Sequence, residues 1–235
     1  VYKCFYVGNS DTLVKYPIDS QKLTGNRSPS PPSPLTPLIR IFNPGWIPDL
    51  RCPMIINFDA KDTDLLWQIG EAKSLWFKKN NWPIHIQRMT KFSISEEQAR
   101  TYNQFCGLCG EAALWEWLYG DLSGFWEQQA YLHESQSLTD GGTDMMGLDV
   151  KTRDLITDPI PWLIITPHKL DTKVRYVLCV VQSEHPSKPE TVSVEIIGSI
   201  HGEVVDRLKE HWWHEGLHRI TIEQEYLTPP ETLKW

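Results

Sequence analysis

The chain has 235 residues, 40% of them hydrophobic, and a formal net charge of −7. That length suits one domain with a sizeable core plus an appendage, and the acidic balance argues against a uniformly basic nucleic-acid-binding protein. No apolar run reaches the roughly 18 residues of a membrane span.

Val1–Tyr16 lacks the clean apolar stretch of a signal peptide. Five cysteines at irregular spacing suit a reducing compartment better than a disulfide scaffold. The expectation is therefore a cytoplasmic chain with no membrane partner. Residues 1–53 read as a proline-rich extension outside the core, because Ser28-Pro-Ser-Pro-Pro-Ser-Pro34 supports neither a ladder nor a helix. Residues 54–235 read as the main domain.

Apolar residues at Leu65, Leu66, Ile69, Ala72, Leu75 and Trp76 predict a helix over Asp62–Lys79. Ile84–Ile94 alternates loosely and predicts a strand. Ser95-Glu-Glu-Gln98 has the form of a capping box, opening a helix that runs to about Tyr119 and closes at Gly120. Phe125–His133 predicts another helix. Past Leu138 the pattern turns to strands: Leu148–Thr152, Pro161–Thr166, Arg175–Gln182 and Thr191–Ser199, rich in β-branched residues. A short helix over Gly202–Glu210 and a last strand over Ile220–Tyr226 complete the series. Helices followed by strands give an α/β or α+β domain, read here as α/β with a mixed central sheet flanked by helices.

The chemistry concentrates in Asp140-Gly-Gly-Thr-Asp-Met-Met-Gly-Leu-Asp-Val-Lys-Thr152. Side chains of a strand alternate faces, so Asp149 and Lys151 point one way and Val150 points into the core. A carboxylate beside an ammonium can hold a divalent cation and steady charge on a phosphate. The main-chain carbonyl of Val150 can add a ligand. A tight turn folds Asp144 back toward Asp149, and Gly141 and Gly142 allow close approach. Two carboxylates with open positions suit Mg²⁺, with Mn²⁺ as a substitute, and hydrolysis of a phosphodiester is the chemistry such an ion favours.

Asp-Gly-Gly-Thr-Asp followed by Asp-Val-Lys-Thr resembles the PD-(D/E)XK nuclease superfamily, with its restriction-endonuclease-like core. Cys106-Gly-Leu-Cys-Gly-Glu-Ala-Ala-Leu-Trp-Glu-Trp-Leu-Tyr-Gly120 resembles the helix before the catalytic hairpin in many members. The resemblance covers roughly Ser95–Leu227. It implies an Mg²⁺-dependent nuclease acting on DNA, an endonuclease, with Glu111, Asp144, Asp149 and Lys151 as catalytic residues. It implies Glu111, Asp144, Asp149 and the Val150 carbonyl as metal ligands. Only four residues separate Asp144 from Asp149, a shorter hairpin than the family's usual one, which leaves Asp140 as an alternative first ligand. A homodimer is an analogy from enzymes that pair two sites to cut both strands. A degenerate nuclease fold that binds nucleic acid without cutting is the rival reading.

Three other patterns compete. His214-Glu-Gly-Leu-His218 matches the zinc-protease motif, yet Gly216 and Arg219 suit a polar loop better than a metal-binding helix. Cys106 and Cys109 have redox spacing but fall inside the capped helix, as packing residues. Lys73, Lys78, Lys79, Arg88, Lys91 and Arg100 read equally well as a basic face or a solvated surface.

Overall fold

The computed structural model of the chain describes residues 2–6, 13–17, 54–80, 91–134, 144–145, 147–156, 159–183, 185–214 and 218–233. Contacts divide the chain into two units, residues 1–50 and 51–235. In the first, β1 (Tyr2–Tyr6) pairs antiparallel with β2 (Leu13–Pro17). The proline-rich run at 28–34 lies outside the described residues.

The second unit begins with β3 (Met54–Phe58) and α1 (Ala60–Lys79). Asp59 caps α1 by accepting a hydrogen bond from the Asp62 amide at 2.9 Å, and Lys78 and Lys79 lie in its last turn, where the helix dipole favours cations. Helix α2 (Glu96–Tyr119) starts where the Ser95 hydroxyl accepts from the Gln98 amide at 3.1 Å. The reciprocal half of the capping box is replaced by another contact: the Gln98 side chain donates to the Pro186 carbonyl at 3.4 Å. Gly120, with φ 82°, closes α2 in the left-handed region that its missing Cβ permits. The strand expected over Ile84–Ile94 lies mostly outside the described residues. Its described end departs from expectation, because Lys91 and Phe92 are helical and Ser93 (φ 53°) turns the chain into the α2 cap.

Helix α3 (Ser123–Glu134) follows, and Phe125 packs in the core. The strands are β4 (Leu148–Asp154), β5 (Leu163–Ile165), β6 (Arg175–Gln182) and β7 (Val192–His201). After them come α4 (Gly202–Trp212), β8 (Trp213–His214) and β9 (Arg219–Ile222). The expected extension of the last strand to Tyr226 is replaced by a 3-10 turn over Gln224–Tyr226.

The main sheet runs β3-β7-β6-β4, and a smaller antiparallel sheet runs β5-β9-β8. Within the main sheet, β4 pairs parallel with β6, while β6–β7 and β7–β3 are antiparallel. The result is a mixed α/β fold with a mixed sheet flanked by helices.

Strand β6 explains the layering. Val177, Cys179 and Val181 join one core with α1 and α2, while Tyr176, Leu178 and Val180 join a second core with the small sheet and α4. A strand buried on both faces is a continuous apolar run, which β6 is. The register of β7 against β6 skips Ile197 between Gly198 and Ile196. That extra residue reverses the alternation, so Ile196 faces the first core and Ile200 the second. Among the described residues, no helix is long and apolar enough to cross a membrane.

Candidate active site

Strand β4 sits at the end of the main sheet, and its alternation decides what each side chain meets. Leu148 and Val150 are buried in the core that α2 covers. Helix α2 comes close at Gly110, where a Cβ would lie 2.0 Å from the Thr152 hydroxyl oxygen. Asp149 and Lys151 therefore project from the opposite face. There they form an ion pair between Lys151 Nζ and Asp149 Oδ1. Asp149 is 8% exposed, so the ammonium compensates a carboxylate that water reaches poorly.

The register sets Asp149 opposite Tyr176 on β6. Lys151 Nζ lies 5.9 Å from the centre of the Tyr176 ring, a cation–π contact. Burial raises the Tyr176 phenol above its ordinary value; the Asp171 amide opposes the rise, and the Asp149 and Asp171 charges add to it.

Asp144 reaches β4 from its outer edge. Its Oδ2 accepts from the Val150 amide at 2.5 Å, and its own amide donates to the Leu148 carbonyl at 3.0 Å. The turn between them is closed by the Leu148 amide donating to the Met145 carbonyl at 2.6 Å, with Gly147 at φ 81°. The amide and carbonyl of one residue in an extended strand point to the same side. The Val150 carbonyl therefore faces the edge on which the Asp144 carboxylate lies. Burial pushes the Cys179 thiol up, and the Asp144 carboxylate adds to the rise.

Glu111 follows Gly110 on α2, on the Val150 and Thr152 side of β4. Burial raises the Cys109 thiol well above its usual value, with Cys106 and Glu111 adding to it. Among the described residues, no three histidine, cysteine, aspartate or glutamate side chains are grouped to hold a metal ion. Alternation along β4 sends Asp149 to the face away from α2, whereas Glu111 lies on the α2 side. Asp140 lies outside the described residues.

Hard oxygens face the edge of β4, the Asp144 carboxylate and the Val150 carbonyl, while Asp149 projects from the face away from α2. Mg²⁺ takes one or two carboxylates and keeps several waters, so this set fits it without a cage of three side chains.

The competing patterns resolve by local structure. His214 pairs with Arg219 across the β8–β9 hairpin, and His218 sits at φ 47°. A His-Glu-x-x-His zinc site requires both histidines on one helical face, and neither His214 nor His218 is helical. Cys106 and Cys109 are buried within α2, outside any disulfide. Trp115 and Trp117 pack against the first core. The expected basic run does not share one face: Lys73 is buried, Lys78 and Lys79 are exposed, Arg100 pairs with Glu96, and Arg88 lies outside the described residues. Sequence reasoning missed Tyr176, because its place beneath Lys151 depends on the pairing of strands far apart in the chain.

Comparison with known proteins finds no matching family model, no matching curated protein and no matching solved structure.

Proposed function

We propose that the chain is a metal-dependent nuclease that hydrolyses DNA phosphodiester bonds, acting as an endonuclease at the edge of β4. The observation that carries the reading is the Asp149–Lys151 pair one residue from a strand edge where the Asp144 carboxylate binds the Val150 amide. Asp144, Asp149 and the Val150 carbonyl would hold Mg²⁺, or Mn²⁺ in its place. When bound, such an ion acidifies a water and neutralises charge on the phosphorus oxygens.

The protein's own groups divide the remaining work. Lys151 holds the Asp149 carboxylate while no cation shares it. With that carboxylate shared, the ammonium is free to donate to a non-bridging phosphate oxygen and to stabilise the charge that builds there. The Val150 amide fixes the Asp144 carboxylate at the edge. The Tyr176 ring limits where the Lys151 ammonium can go. Glu111, on the α2 side, orients water rather than completing a ligand set.

Incubation with linear, circular and branched DNA in Mg²⁺ or Mn²⁺ tests the reading. Cleavage is expected from the wild type, with a loss of roughly 10²-fold or more in Asp149→Ala and Lys151→Ala, and His214→Ala cleaving as the wild type does. Activity that survives Asp149→Ala and Lys151→Ala but vanishes in His214→Ala overturns it. A second reading, a nucleic-acid-binding protein on a degenerate nuclease fold, is favoured by the absence of a three-ligand group among the described side chains. It predicts DNA binding with no cleavage in any metal.

A further inference from the structure

We propose that the loop between β5 and β6, residues 166–174, is a DNA-backbone-contacting rim of this site, and that Tyr176 is the positioning residue that fixes it beside Lys151. The inference rests on the nuclease reading for the choice of DNA as the polyanion. His168, Lys169 and Lys173 are exposed along this loop, and Arg175 follows at the start of β6. Lys169, Lys173 and Arg175 give three cations against one carboxylate, Asp171, in a chain whose formal net charge is −7. The exposed Asp171 carboxylate accepts from the Lys173 amide at 2.8 Å.

The loop is built rather than draped. The Tyr176 hydroxyl accepts from the Asp171 amide at 2.7 Å and donates to the Lys169 carbonyl at 3.1 Å. The Gly202 amide donates to the Val174 carbonyl at 2.8 Å. A Cβ at Gly202 would lie 2.0 Å from the Asp171 carbonyl oxygen, so a glycine is what lets α4 begin against this loop. One tyrosine thus ties two things together: its ring carries the Lys151 ammonium, and its hydroxyl holds the backbone from which Lys169 projects. The raised phenol keeps its proton and stays a donor. Cations held on a fixed backbone lose less freedom when they meet a phosphate chain.

Fluorescence anisotropy of labelled duplex DNA in EDTA, repeated over a salt series, tests the rim without chemistry. The full chain is expected to bind with a steep salt dependence. Lys169→Ala combined with Lys173→Ala is expected to weaken binding and to lower the slope of log K against log salt by roughly 2. Tyr176→Phe keeps the ring and every charge. It is expected to melt close to the wild type, bind several-fold more weakly with little change of slope, and raise KM more than it lowers kcat. Wild-type slope and affinity in the double variant overturn the rim, as does a wild type that binds no duplex. Binding through the loop with no cleavage in Mg²⁺ supports the rim and refutes the nuclease reading. Cleavage with unaltered loop variants does the reverse.

Discussion

Gly110→Ala probes the contact that sets β4, and with it the candidate site, against α2. The new Cβ would lie 2.0 Å from the Thr152 hydroxyl oxygen and 3.1 Å from both Thr152 Cβ and Cγ2. Turning the threonine rotamer moves the hydroxyl but leaves Thr152 Cβ in place, so the strand or the helix must shift. Overpacking of this kind costs about 1–3 kcal/mol. Replacing a helical glycine by alanine returns about 1 kcal/mol. The expected net loss is roughly 0–2 kcal/mol. Thr152→Ala removes a buried hydroxyl that has no hydrogen-bond partner, so its own cost is close to that of one methyl group, about 1 kcal/mol. Urea unfolding of the two single variants and the double variant closes a cycle, and the double should recover about 1–2 kcal/mol relative to additivity. Gly107, in the same helix, has nothing within 4 Å of its Cβ position, so Gly107→Ala should be neutral or stabilising. Additive effects at 110 and 152, or a Gly110→Ala as benign as Gly107→Ala, would refute the packing argument. Lys151 adjoins Thr152, so cleavage by Gly110→Ala should fall by more than its lost stability explains.

Two further outcomes follow from the helices. Ser95→Ala removes the hydroxyl that accepts from the Gln98 amide and should cost about 1 kcal/mol in denaturant midpoint analysis. Burial, and after it the Asp62 carboxylate, raises Glu116 above the ordinary glutamate value. The native state then holds a proton that the unfolded chain has released, so stability falls as pH rises from the ordinary glutamate value through the raised one, and it stays lower above. Glu116→Gln should therefore raise Tm near pH 7, with the gain shrinking toward pH 3 where both forms are neutral. A gain independent of pH would contradict the assignment.

How much was legible in sequence follows from the range of the forces involved. The run Arg175–Gln182 fills β6 from end to end because both of its faces are apolar. Ser95 and Gly120 mark the ends of α2 because capping is local chemistry. The shared face of Asp149 and Lys151 follows from strand period alone. Glu111 was different: its motif fixes its place on α2, but which side of β4 that helix covers is a tertiary fact set by Gly110 and Thr152. Tyr176 and the loop it anchors were hidden for the same reason, since the parallel register that sets Asp149 against Tyr176 joins residues far apart in sequence. At His214 and His218 the local sequence was enough: Gly216 and Arg219 already argued against a metal-binding helix, and neither histidine is helical.

The single-turnover rate of duplex DNA cleavage, measured against Mg²⁺ concentration for wild type and Asp149→Asn, bears most directly on the claim that the edge of β4 is a metal-dependent phosphodiesterase centre. The wild-type rate is expected to saturate with Mg²⁺, and in Asp149→Asn to fall by roughly 10²-fold or more, with saturation moved to higher metal concentration. Equal rates in the two proteins, or cleavage that ignores Mg²⁺, would contradict that claim.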